Sequence, residues 1–124
     1  MKKFQTIAIS IFMIVLMAGF VWAAPQWAPV AGNEHNMVAY GKIATGMDFS
    51  GGGYVLYSFG PAGDQDCRSK SDIKPDGSYY ATIVGDAAGE AIHFKIADGT
   101  GNAYELKENI SFEPDATKEK LDLY

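Results

Sequence analysis

Beyond residue 36 the apolar residues of this chain never recur at helical spacing for long enough to build a helix. They come in short β-rich runs broken by clusters of Gly, Pro, Asn and Asp. That pattern predicts an all-β domain. The best-formed run is Ala91-Ile92-His93-Phe94-Lys95-Ile96, where Ile92, Phe94 and Ile96 share one face and His93 and Lys95 the other. Strands are expected over 37–45, 54–59, 67–73, 78–84, 91–97, 103–106, 109–113 and 121–123. Seven or eight short strands at this spacing predict a small antiparallel β-sandwich. The breaks carry turn chemistry: Gly51-Gly52-Gly53, Pro75-Asp76-Gly77, Asp86 to Gly89, and Asp98-Gly99.

The first residues read as an export signal. Lys2 and Lys3 form a basic start, the stretch from Ile7 to Ala24 carries no charge, and Val21-Trp22-Ala23 supplies a peptidase site. Cleavage is expected after Ala23, with Ala24 as the next choice. Pro25 and Pro29 would break a helix continuing past the cut, which disfavours an uncleaved anchor. The chain then divides into a signal peptide over 1–23, a Pro- and Gly-containing lead-in over 24–36 from which Trp27 projects, and a sandwich domain over 37–124. The expected location is outside the cytoplasm, periplasmic, secreted or at the cell surface.

Without residues 1–23, eight Lys and Arg stand against fifteen Asp and Glu, a formal charge of −7. The basic side chains are scattered among acids, so phosphate backbones are repelled and nucleic acid is not an expected partner. Cys67 is the only cysteine, so no internal disulfide can form; the favoured reading for Cys67 is a buried, inward apolar residue, with an intermolecular partner or a reactive thiol as the alternatives.

No G-x-S-x-G, H-E-x-x-H or C-x-x-C pattern occurs, and the only imidazoles are His35 and His93. A Cys67–His93 dyad is disfavoured because the two are expected on opposite faces. The chain is therefore expected to be non-enzymatic. Asp64, Asp66, Asp72 and Asp76 fall within thirteen residues, and such hard oxygen ligands would suit Ca²⁺, although the same residues also make ordinary turns. Asp98-Gly99-Thr100-Gly101-Asn102 begins like an EF-hand loop but continues as a hairpin turn. Trp27, Tyr40, Tyr54, Tyr57, Tyr79, Tyr80 and Tyr104 could offer rings to a sugar face, or serve as packing. Tyr79 and Tyr80 are adjacent, so one faces the core and the other faces away. Arg68 could clamp a carboxylate or pair at the surface with Asp66 or Asp76.

The segments Asp66-Cys67-Arg68, Asp76-Gly77-Ser78-Tyr79-Tyr80, Gly89-Glu90, Phe94-Lys95-Ile96 and Ile110-Ser111-Phe112 resemble an immunoglobulin-like accessory module of secreted and surface bacterial proteins. In that module an acidic residue precedes Cys-Arg-Gly, and a Gly-Glu turn leads into a Phe-Lys strand. The resemblance spans nearly all of residues 24–124, but its motifs are structural punctuation. It implies a sandwich with an adhesive or ligand-binding role and no established chemistry. Two positions depart from it: Ser69 stands where Gly follows Cys-Arg, and Tyr57-Ser58-Phe59 replaces a strand ending in Ala-Phe. The expected function is an exported binding module for a protein or glycan, with Arg68, Tyr54, Tyr79, Tyr80 and Trp27 as contact residues. The alternatives are a subunit of a surface assembly that pairs by strand addition, and a carbohydrate-binding module.

Overall fold

The structure is a computed structural model and describes residues 27–124; the expected signal peptide and cleavage site lie outside the described residues. The described chain is a small β-sandwich of seven strands: β1 (His35–Lys42), β2 (Val55–Phe59), β3 (Cys67–Asp72), β4 (Ser78–Gly85), β5 (Ala91–Ala97), β6 (Ala103–Ser111) and β7 (Thr117–Lys118). One sheet has the order β4-β1-β7 and the other β3-β2-β5-β6. Every pairing is antiparallel except β1 with β7. Among the described residues no helix is long and apolar enough to cross a membrane.

Alternation builds the core. Met37 and Ala39 from β1, Leu56 from β2, Tyr79, Ala81 and Ile83 from β4, and Ile92, Phe94 and Ile96 from β5 all point between the sheets. Phe112 closes one end so tightly that a Cβ on Gly85 would meet its ring at 2.9 Å. At the Pro75-Asp76-Gly77 turn, Asp76 accepts the amide and hydroxyl of Ser78 while Gly77 takes φ +85°, a region in which a side chain would be strained.

Both sides of the sandwich are tied. On one side the backbone of Leu121–Leu123 runs beside β1, with Leu121 N donating to Tyr40 O and Leu123 N to Lys42 O, and Lys107 N of β6 donating to Tyr124 O. On the other side Arg68 of β3 donates to Val84 O of β4, 3.1 Å away.

Several expectations change. The runs 103–106 and 109–113 are one strand, β6, whose register against β5 shifts between His93 and Lys95. The expected strand over 121–123 keeps a single parallel bridge, Ile43 to Leu123, and β7 arises in the charged tail instead. Trp27 does not project. It packs edge-on to Tyr57 (centroids 4.9 Å apart) and Phe59 (5.2 Å), and Val30 N donates to Cys67 O. The lead-in thus covers a second apolar cluster, Tyr57, Phe59, Cys67 and Ala97, on the outer face of the four-stranded sheet. Cys67 is free and buried there, not inward in the main core, and burial pushes its thiol up from the ordinary value.

Candidate functional site

The Arg68 region is the most highly organised polar cluster of the described residues. The β2–β3 register shifts between Ser58 and Phe59: Ser58 pairs with Ser69 and Phe59 with Cys67, leaving Arg68 as the extra residue of a bulge. The bulge re-aims its side chain. Arg68 Nε donates to Asp66 Oδ1 at 2.7 Å and Nη2 to Asp66 Oδ2 at 3.1 Å. On the other edge Nη2 donates to Glu90 Oε2 at 2.7 Å and Nη1 to Glu90 Oε1 at 3.2 Å. With the bond to Val84 O, every N–H of the fork has an acceptor.

Arg68 is 5 % exposed, so the expected surface pair is corrected: Asp66 is a partner, Asp76 is not, and Glu90 completes a buried clamp. Glu90 Oε1 also accepts the amides of Asp86 and Ala87. The Arg68 guanidinium foremost holds the Glu90 carboxyl down at about 2, and it lowers Asp66 as well. Gly60 is required beside the clamp, because a Cβ there would collide with Asp66 and with the guanidinium at 2.6 Å. A guanidinium so saturated has no donor left for a ligand. Asp66, Arg68 and Glu90, which the sequence presents as separate motifs, are one structural fastener.

Two serines of neighbouring strands also meet. Ser58 and Ser69 are both buried, and their hydroxyls lie 2.5 Å apart across the β2–β3 pair. Ser58→Ala alone strands the Ser69 hydroxyl and is expected to lose about 1–3 kcal/mol. The pair Ser58→Ala with Ser69→Gly removes both polar groups. Urea unfolding of the two single variants and the double should therefore show a coupling energy of about 1 kcal/mol or more in favour of the double.

The four aspartates are not gathered. Asp64 pairs with Lys95 at 2.7 Å, Asp66 serves the clamp, Asp76 caps its own turn, and Asp72 ends β3 exposed. Among the described residues no group of three or more His, Cys, Asp or Glu is placed to hold a metal ion. Asp98 accepts the Thr100 hydroxyl and amide and the Asn102 amide, which is a turn. Cys67 and His93 are no dyad, for a reason other than the one expected: both flank Phe59 in register, and the Phe59 ring, stacked on His93 at 5.6 Å, stands between them.

The aromatic residues separate into packing and surface. Trp27 and Tyr57 belong to the outer cluster, Tyr54 packs edge-on to Phe49 at 5.1 Å, and Tyr79 is buried with its hydroxyl donating to Leu121 O. Burial pushes the Tyr79 phenol well above its usual value. Tyr80, as alternation requires, faces out and is 61 % exposed. It pairs in register with Tyr40 of β1, and the two rings lie nearly parallel, 15° apart, with centroids 6.1 Å apart. Around them on the open face stand Asn36, Val38, Lys42, Ser78 and Thr82.

No match is found. Comparison of the chain with protein-family models, with curated proteins and with solved structures returns no similar protein in any of the three. The reading of function therefore rests on the residues and their geometry.

Proposed function

We propose that this chain is an exported, non-enzymatic binding module that holds a neutral glycan on the open face of its three-stranded sheet, at Tyr40 and Tyr80. The observation that carries the reading is the parallel Tyr40–Tyr80 pair: two rings on adjacent strands, one strongly exposed, where Trp27, Tyr54, Tyr57 and Tyr79 serve packing. Aromatic faces stack against the apolar faces of sugar rings, and the Asn36, Ser78 and Thr82 side chains beside them offer hydrogen-bonding groups for hydroxyls. A protein interface of ordinary size asks for a broad apolar centre, and here the flanking apolar side chains, Val38 and Val84, are half-buried. The net charge of −7 over residues 24–124 disfavours anionic polymers.

Strand addition finds less support, because the lead-in bonds to β3 and the 121–124 segment lies between β1 and β6. The test is a thermal melt of residues 24–124 against a panel of neutral oligosaccharides, since a ligand of the folded state alone raises the midpoint. Tyr80→Ala is expected to keep the ligand-free midpoint and to weaken binding about tenfold or more. A ligand-induced rise that survives Tyr80→Ala unchanged would rule out this face.

A further inference from the structure

At the edge of the sandwich where β6 meets the 121–124 segment lies a cavity of about 420 Å³. Its walls include Thr45, Met47, Tyr104, Glu105, Lys107 and Tyr124. The volume falls in the range of small-ligand sites, which combine apolar and aromatic walls with a few polar groups. Tyr104 and Tyr124 are 45 % and 53 % exposed, large rings held beside a concavity instead of being folded into the core. The cavity is thus bordered by two large rings and by Thr45.

Its position relates it to the Tyr40–Tyr80 platform. Along β1 and its continuation, Tyr40, Lys42 and Ala44 fall on the outward side, while Ala39 and Ile43 are buried. Ala44 lines the cavity. Four residues of extended chain place it roughly 13 Å from Tyr40 on the same side of the strand. We infer that the cavity is a second subsite for the same ligand, so that one neutral oligosaccharide stacks on Tyr40 and Tyr80 and runs past Lys42 to seat a further sugar unit between Tyr104 and Tyr124.

This inference rests on the platform reading, and the experiment separates the two. Neutral oligosaccharides from disaccharide to hexasaccharide are titrated by calorimetry into residues 24–124, into Tyr80→Ala, and into the double variant Tyr104→Ala with Lys107→Ala. The substituted side chains are exposed, so unchanged melting midpoints are expected and are checked first. The wild-type chain should gain about tenfold or more in affinity once the ligand is long enough to span both subsites. The cavity double variant should bind the disaccharide as the wild type does and lose that gain with length, and Tyr80→Ala should weaken every length. Affinity independent of length yet dependent on Tyr80 overturns the second subsite alone, as does a full length gain in the cavity variant. Failure of every oligosaccharide to bind the wild-type chain overturns the platform reading and the subsite with it.

Discussion

Replacing Arg68 with alanine should cost the domain about 3–5 kcal/mol of unfolding free energy, because it leaves two carboxylates facing each other in a largely buried pocket without their cation. That is a large share of the roughly 5–15 kcal/mol typical of a domain. Arg68→Lys should recover little of it. An ammonium is a point donor and cannot span Asp66, Glu90 and Val84 O at once from a bulge position that aims a planar fork. Urea unfolding checks both variants, and a loss under about 1 kcal/mol for Arg68→Ala would mean that the clamp is dispensable.

The clamp also sets the acid response. Glu90, ordinarily at 4.5, is held near 2 in the folded chain, and Asp66 is lowered as well, so both are charged in the folded state at pH values where the unfolded chain would protonate them. A depressed folded value contributes stability that is complete above the unfolded value and is lost as pH falls towards the folded one. Melting midpoints should therefore hold level above about pH 5 and fall between pH 4.5 and about 2. In Arg68→Ala the fall should be shallower, since the cause of the depression is gone.

Trp27→Ala should lose about 2 kcal/mol. The value lies below the roughly 3–5 kcal/mol of a fully buried Trp because Trp27 is only half-buried. The loss should come with a local signature. Trp27 and the Val30 to Cys67 bond hold the lead-in over Tyr57, Phe59 and Cys67. Lys95 lies 5.8 Å over the Trp27 ring and adds a cation–π contact. Removing the indole should let the lead-in open without global unfolding and expose the thiol. Labelling of Cys67 by a thiol reagent under native conditions should accelerate markedly in Trp27→Ala and only slightly in Trp27→Phe. Equal labelling rates in all three chains would mean that the lead-in does not protect this cluster.

The strands were legible where one face is polar. The run 91–97 matches β5 at both ends, since Ile92, Phe94 and Ile96 alternate cleanly with His93 and Lys95. In β6 the alternation is interrupted at Lys107-Glu108, and the sequence reads as two strands. The interruption is a bulge, three residues opposite the single Phe94, which keeps Leu106 buried. β7 carries no apolar pattern because it is two residues held by backbone pairing to β1.

The outer cluster left a signal that alternation alone does not use. Val55 to Phe59 is apolar on both faces apart from Ser58, as befits a strand covered on both sides, and Trp27 supplies the cover. Of the site, the sequence showed only that one of Tyr79 and Tyr80 faces out; that it is Tyr80, and that Tyr40 stands opposite it, followed from the burial and register of the folded sheet. The union of Arg68 with Glu90 could not be read from composition, since it depends on the β3 bulge and on the turn before β5 meeting at one edge of the fold.

The central claim is a division of labour: Asp66, Arg68 and Glu90 hold the fold, and Tyr40 with Tyr80 meets the ligand. Its most direct test is an amide chemical-shift map of residues 24–124 during titration with the neutral oligosaccharide that gives the largest melting shift. The account predicts that the perturbed amides gather in 36–42 and 78–84, joined by 44–47, 104–107 and 124 when the oligosaccharide is long enough to reach the cavity, with the 64–76 and 86–90 loops unmoved. Perturbations centred on 64–68 and 90 with Tyr40 and Tyr80 silent would contradict it.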